Sequence, residues 1–321
     1  MSKGALALLI RGTTQNWSAE RWKARFDEVC RNRPVLQLPG ATFDPADVHY
    51  AAVWKPVPGE LAAFPNLKVI FNLGAGVDAL MADRSLPDVP LVRVAVDDLT
   101  ARMTEYVVLH ALMHHRQELY LRQSQREKRW APKHQWPAGA ISVGIMGLGT
   151  LGADAAPVLR RIGFRVAGWS RGLKRIDGIE CFCGGEQLDA FLRRTDILVC
   201  LLPLTQDTRH ILDREVFTKL NSTSPMGAPV VINAGRGGLQ NEADLLACLD
   251  DGTLGGASLD VFATEPLPPD SRFWTHPNVV LTPHNAADTD PDAISKYVAH
   301  QIGRFEAGEV LENVVERERG Y

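Results

Sequence analysis

The sequence predicts an α/β protein with two doubly wound parallel-sheet domains, and three observations carry that prediction. Short apolar runs of strand length alternate with helix-patterned stretches along the chain. A strand, a glycine turn and a helical pattern follow one another near the middle of the chain, not at its start. The length, 321 residues, suits about two domains.

In the first half, Ala5–Ile10 is expected to be a strand, being too short for a signal core or a membrane span. Ser18 is expected to cap a helix running to about Cys30. Val35–Leu38, Ala51–Trp54 and Lys68–Leu73 are further apolar runs of strand length. One long helix is expected from about Thr100 to Arg126, because Val107, Val108, Ala111 and Leu112 recur at helix spacing. Trp130–Gly139, with Pro132, Pro137 and Gly139, reads as a loop.

A second unit opens at Ile141–Met146. Strands are expected at Arg165–Trp169, Ile197–Leu202, Val230–Asn233, Gly256–Val261 and Val279–Leu281. Helices are expected at Thr150–Ile162, Gln187–Arg194, Arg214–Leu220 and Glu242–Asp251. A last helix, about Pro291 to Ala307, closes the chain and is expected to pack on the first domain.

Composition narrows the function classes. A chain that is 45% hydrophobic and 23% charged is ordinary globular material, able to build a core without disulfides or metals. Its net charge of −3, without a long run of one sign, gives no support to nucleic-acid or membrane-surface binding. Five cysteines, an odd number, suggest a reducing, cytoplasmic setting. Cys181 and Cys183 lack partners at zinc spacing, so no metal site is expected. His110 and His114 share the spacing of a metal pair, but no Glu follows His110 as in the zinc-protease pattern, so a packing or surface role is expected. Asn16–Trp17–Ser18 matches a glycosylation acceptor and is read as chance.

Gly147–Leu148–Gly149–Thr150–Leu151–Gly152 is G-x-G-x-x-G between a strand and a helical pattern. Gly147 serves the tight turn, Gly149 lets a pyrophosphate approach the backbone, and Gly152 lets helix and strand pack closely. The helix N-terminus then offers unpaired N–H groups and a favourable dipole to the phosphates. At the end of the next strand an NAD site usually carries Asp or Glu. This chain has Ser170 and Arg171, followed by Lys174 and Arg175. A hydroxyl and a guanidinium suit a ribose 2′-phosphate, which a carboxylate would repel, so NADPH is expected over NADH.

Three residues stand at expected strand ends: Arg236 in Asn233–Gly238, Glu265 in Asp260–Pro266, and His284 in Leu281–Asn285. Ligands of open α/β sheets sit at the carboxyl ends of the strands. A His suits proton donation near neutral pH, a carboxylate bonded to it fixes its tautomer, and an Arg holds a substrate carboxylate and polarises a carbonyl.

Together these motifs resemble the D-2-hydroxyacid dehydrogenase family, and within it the glyoxylate/hydroxypyruvate reductases of the bacterial A type. Trp54–Lys55–Pro56, Leu73–Asp78, Trp169–Arg171, Pro266–Pro269 and Arg319–Tyr321 share the resemblance, which covers nearly the whole chain. It implies a flavodoxin-like substrate domain, 1–105 plus 289–321, and a Rossmann dinucleotide domain, 106–288, with the active site in the cleft. It implies that Arg236, Glu265 and His284 are catalytic, with Gly74, Ala75 and Gly76 binding the substrate carboxylate. Trp54 borders a small pocket and Lys55 adds positive charge. Cofactor contacts are implied at Gly147, Gly149, Thr150, Leu151, Gly152, Ser170, Arg171, Lys174, Leu202, Pro203, Ala234, Arg236, Asp260 and His284. The implied reaction is reduction of a small 2-oxo acid to the D-2-hydroxy acid by NADPH, NADH being a possible substitute. The implied assembly is a homodimer, with the helix after Thr100 at the interface and Trp130 within reach of the partner. Two alternatives share the fold. One is a dehydrogenase of another 2-hydroxy acid, although the formate enzymes carry Gln where this chain has Glu265. The other is a non-catalytic NAD(P)-sensing module of the corepressor type.

Overall fold

A computed structural model describes residues 3–11 and 18–320. Asn16 and Trp17 of the glycosylation match, and Tyr321, lie outside the described residues. The chain divides into two units, Met1–Leu99 with Thr289–Tyr321, and Thr100–Asp288.

The first unit runs β1 (Ala5–Ile10), α1 (Ala19–Val29), β2 (Val35–Leu38), β3 (Val48–Trp54), β4 (Val69–Asn72), α2 (Asp78–Met81) and β5 (Leu91–Arg93). Its sheet has the order β2-β1-β3-β4-β5, parallel throughout, which is the flavodoxin-like order. Side chains alternate between the faces of a strand, and here both faces are buried. Leu6, Leu8, Tyr50 and Ala52 enter one core with Trp22 and Phe26 of α1. Ala7, Leu9, Ala51 and Val53 enter another with Leu61 and Phe64. Ser18 holds the N-cap position of α1 but makes no side-chain cap bond, contrary to expectation. The β5 edge is closed by the C-terminal segment, where Val92 bridges Val314 in antiparallel fashion and Val315 N–H donates to Leu91 O at 2.8 Å. β5 was not expected, because three residues carry no readable period.

The second unit begins inside α3 (Asp97–His115) and continues with α4 (Glu118–Arg126). The single helix expected over 100–126 is therefore broken. Gln117 takes a left-handed φ of 57°, the Gln117 side chain donates to His134 O, and Arg116 Nε donates to Gln135 Oε1. The interruption is held by a loop seventeen and more residues away, which local periodicity does not register.

Then follow β6 (Ser142–Met146), α5 (Thr150–Ile162), β7 (Arg165–Ser170), β8 (Glu180–Cys183), α6 (Leu188–Leu192), β9 (Ile197–Cys200), α7 (Arg214–Lys219), β10 (Val230–Asn233), α8 (Glu242–Asp250), β11 (Gly256–Leu259) and β12 (Val279–Leu281). The last helix, α9 (Pro291–Glu306), returns to the first unit, where Arg25 of α1 pairs with its Asp292. The order β12-β11-β10-β9-β6-β7-β8 is parallel throughout. This is the Rossmann order with a strand added at one edge, and it reverses direction between β6 and β9. Such a switch point leaves a crevice at the strand ends, where the loops after β6 and β9 diverge. In this unit two strands end earlier than expected, so Leu202 and Pro203 lie past β9 and Asp260 lies past β11.

Candidate active site

The turn after β6 gives its three glycines three different reasons. Gly147 has φ 111°, and a Cβ there would stand 2.9 Å from the Leu201 carbonyl, so the turn and its neighbour after β9 exclude a side chain. A Cβ on Gly152 would stand 2.0 Å from Gly147 O, so helix and turn pack backbone to backbone. Gly149 is the N-cap of α5, and a Cβ there would meet nothing within 4 Å. The protein's own packing therefore does not require a glycine at that position. A glycine there keeps the helix N-terminus, with its unpaired N–H groups, open to an anionic ligand. Thr150 and Leu151 open the helix directly above this gap.

Ser170 ends β7 nearly buried, and its hydroxyl donates to Gly172 O at 2.8 Å. Arg171 is exposed beyond it, with Nη1 4.0 Å from Asp207 Oδ2, and Lys174 is exposed three residues on. An ion pair this long and this open to water holds the guanidinium weakly. Leu202 packs in the core and Pro203 O accepts from Thr208 Oγ1.

Arg236 leaves the end of β10 after Ala234 and Gly235. Its loop is fixed from beneath by buried Asn233, whose amide donates to Arg236 O at 3.2 Å and to Gln240 Oε1 at 2.9 Å. Gln240 in turn donates to Val261 O at 3.1 Å, past the end of β11. A Cβ on Gly237 would stand 1.9 Å from the Phe262 carbonyl carbon, so the Arg236 loop lies directly on the loop that carries Glu265. Arg236 Nη1 donates to Gly235 O at 2.8 Å.

Glu265 and His284 are brought together. Glu265 Oε2 lies 2.7 Å from His284 Nδ1, and its other oxygen accepts from Phe262 N–H at 3.1 Å. His284 takes a left-handed φ of 54°, which is uncommon for a residue with a side chain. Asp260 holds this turn. Its backbone O accepts from His284 N–H at 2.8 Å, and its carboxylate accepts from Asn285 N–H, Ala286 N–H and the Thr282 hydroxyl. Asp260 is 2% exposed, and these donors satisfy its buried carboxyl oxygens.

In the first unit, Trp54 ends β3, and a Cβ on Gly74 would stand 2.4 Å from Cζ3 of its indole. Lys55 follows with φ 51°, its Nζ 5.8 Å from the Trp54 ring centre. Buried Asn72 donates from one amide nitrogen to Gly74 O and Gly76 O, both at 2.8 Å. Each carbonyl turned toward Asn72 turns the N–H of the next residue, Ala75 or Val77, the other way. The sequence assigns no role to Asn72, Asn233 or Gln240. The available signal was an Asn closing an apolar strand two residues before a glycine, which occurs at both Asn72–Gly74 and Asn233–Gly235. Among the described residues, no group of His, Cys, Asp or Glu is arranged to hold a metal. None of the described helices is long and apolar enough to cross a membrane.

The family model for the D-isomer specific 2-hydroxyacid dehydrogenase NAD-binding domain matches residues 108–286. The chain belongs to the D-isomer-specific 2-hydroxyacid dehydrogenase family. Among relatives in this oxidoreductase family, glyoxylate/hydroxypyruvate reductase A of Yersinia enterocolitica is 38% identical over 311 residues, covering 95% of this chain and 97% of that one. The NADPH-dependent glyoxylate/hydroxypyruvate reductase of Sinorhizobium meliloti, solved with NADP and sulfate, superposes with a TM-score of 0.94 at 47% identity, over 99% of this chain and all of that one. A D-isomer specific 2-hydroxyacid dehydrogenase of Xanthobacter autotrophicus, solved with NADPH and MES, gives 0.91 at 40% identity over 99% of this chain and 100% of that one.

Proposed function

We propose that this dehydrogenase uses NADPH to reduce a small 2-oxo acid, glyoxylate, hydroxypyruvate or a close relative, to the D-2-hydroxy acid. The carrying observation is the His284–Glu265 pair at the carboxyl ends of the same parallel sheet whose first turn keeps Gly149 open. The named activities of the A-type relatives support the substrate class.

The dinucleotide would lie over Gly147–Gly152, its phosphates toward the α5 N-terminus and its 2′-phosphate toward Ser170, Arg171 and Lys174. Leu202, Pro203 and Ala234 would border it at the switch point. When bound, it supplies the hydride that reaches C2 of the acid. The carbonyl oxygen then takes a proton from His284 Nε2, while Nδ1–H stays bonded to Glu265 and fixes that tautomer. The imidazolium becomes neutral imidazole and the product leaves as the hydroxy acid. Arg236 binds the substrate carboxylate and polarises the carbonyl. Asp260 acts through the His284 turn. Trp54, Lys55 and the N–H groups of the Gly74–Gly76 loop would bind substrate from a domain read as 1–105 with 289–321, the dinucleotide domain being 106–288. The working form is a homodimer in the cytoplasm, with exposed Leu109 on α3 and the 99% exposed Trp130 facing the partner.

The test is NADPH oxidation, followed by nicotinamide absorbance, against a panel of 2-oxo acids and repeated with NADH. Fast turnover of glyoxylate or hydroxypyruvate with an NADPH preference is expected. Tight NADPH binding without turnover of any acid would replace this reading with the cofactor-sensing module.

A further inference from the structure

The buried side of α3 carries a polar stripe that the proposed chemistry does not use. Tyr106, His110 and His114 follow one another at i, i+4 and i+8 and are all buried. An apolar face would cover the sheet without the cost of burying polar groups, so the partners of this stripe matter.

His110 Nδ1 lies 2.8 Å, and His114 Nε2 2.9 Å, from the hydroxyl of Ser258 in β11. A hydroxyl has one proton and two lone pairs, so Ser258 donates to at most one of the rings and accepts from at least one. Desolvation lowers both histidines to about 4, which leaves the rings neutral in ordinary buffers. The His110 ring lies against the Tyr106 ring, centroids 4.0 Å apart and tilted 34°. Tyr106 OH is 2.9 Å from Thr282 Oγ1, and Thr282 Oγ1 donates to Asp260 Oδ1 at 2.6 Å. Because the single Thr282 proton is spent on the carboxylate, Tyr106 must donate in the first bond. Burial pushes the Tyr106 phenol up, so it keeps the proton it donates. The chain of donation therefore runs from Tyr106 to Thr282 to Asp260, and Asp260 holds the turn at His284.

We propose that Tyr106 is a positioning residue for His284. Its hydroxyl orients Thr282 toward Asp260, and the Asp260 carboxylate then keeps the left-handed turn that aims the imidazole at Glu265. His110, anchored by Ser258 and His114, steadies the Tyr106 ring from the far side. The inference rests on the reading of His284 as proton donor. It adds residues of α3 to those that orient His284.

Tyr106→Phe keeps the ring and its contact with His110 and removes only the hydroxyl. Thr282→Val removes both bonds of the relay, and Thr282→Ser restores them. Three quantities would be measured: kcat and KM for glyoxylate with NADPH, the NADPH Kd by fluorescence titration, and the His284 ring-nitrogen NMR signals without added cofactor. The signals are assigned by their loss in His284→Gln. For Tyr106→Phe, kcat is expected to fall about tenfold, with NADPH Kd within about twofold and the His284 Nδ1 signal displaced or broadened. Thr282→Val is expected to do more, and Thr282→Ser to recover most of the loss. Wild-type kcat in Tyr106→Phe and Thr282→Val overturns the proposal, and so does a loss of kcat with an unmoved His284 signal. Should the unaltered enzyme turn over no 2-oxo acid, the reading of His284 as donor fails on its own, and the NMR signal still decides whether Tyr106 positions the ring.

Discussion

His284 stands just past β12 with its side chain 36% exposed and a carboxylate oxygen 2.7 Å from Nδ1. His110 and His114 lie on α3 in the same unit, 2% and 9% exposed, against a neutral hydroxyl. The first environment gives an imidazole access to a ligand and an anionic partner, which proton transfer requires. The second withholds both and holds the rings neutral by desolvation. By spacing alone the ranking would be reversed, although the missing Glu after His110 and the strand-end setting of His284 already favour His284. A pair at i, i+4 on a helix has the form of a ligand motif, while a lone His after a strand has none. The difference teaches that exposure and partner, more than spacing, set what an imidazole can do.

Removing the exposed ring should break the comparison most severely. His284→Ala is expected to lower kcat by about a thousandfold, with NADPH still bound in a fluorescence titration; unchanged turnover would remove His284 as the acid. Taking away only the anionic partner is the next test. Glu265→Gln should cost about a hundredfold in kcat by loosening the tautomer and orientation of the ring, and a wild-type pH–rate profile in that variant would contradict the pairing. Arg236→Lys keeps the charge and loses the planar fork, so kcat/KM for glyoxylate should fall about tenfold to a hundredfold. Equal kinetics for Lys and Arg would count against carboxylate binding. Arg171→Ala should raise KM for NADPH about tenfold while leaving NADH nearly untouched, and an equal loss with both would refute the 2′-phosphate contact.

The buried histidines sharpen the comparison through stability. Their folded pKa is lowered to about 4, whereas an unfolded chain titrates near the ordinary 6.5. The unfolded state therefore binds more protons between those values. The stabilising contribution is full above about pH 6.5 and is lost as pH falls toward 4. Tm should decline over that window, and a flat Tm would mean that the rings already carry charge in the fold.

Much of the candidate site was legible because its parts are local. A strand, a glycine turn and a helix start are adjacent in sequence, so Gly147–Gly152 reads directly, and Arg236, Glu265 and His284 each follow a recognisable apolar run. Ser170–Arg171 reads because the strand before it fixes its place at the sheet end. The missed features depend on partners far away in the chain. The break at Gln117 is held by His134 and Gln135, and β5 is closed by residues near 314. Asn72 and Asn233 could have been suspected from their place before a glycine, but three of their four hydrogen-bond acceptors are backbone carbonyls, which every residue carries and no sequence marks.

Local chemistry thus wrote the two α/β units, the glycine turn and the residue types at the strand ends into the chain, because periodicity and turn preference act over a few neighbours. The pairing of Glu265 with His284, the left-handed turn that Asp260 holds, and the line from Tyr106 through Thr282 to Asp260 were settled by packing. They join residues up to 176 positions apart, and a hydrogen bond across such a separation exists only once the sheet has brought its strand ends together.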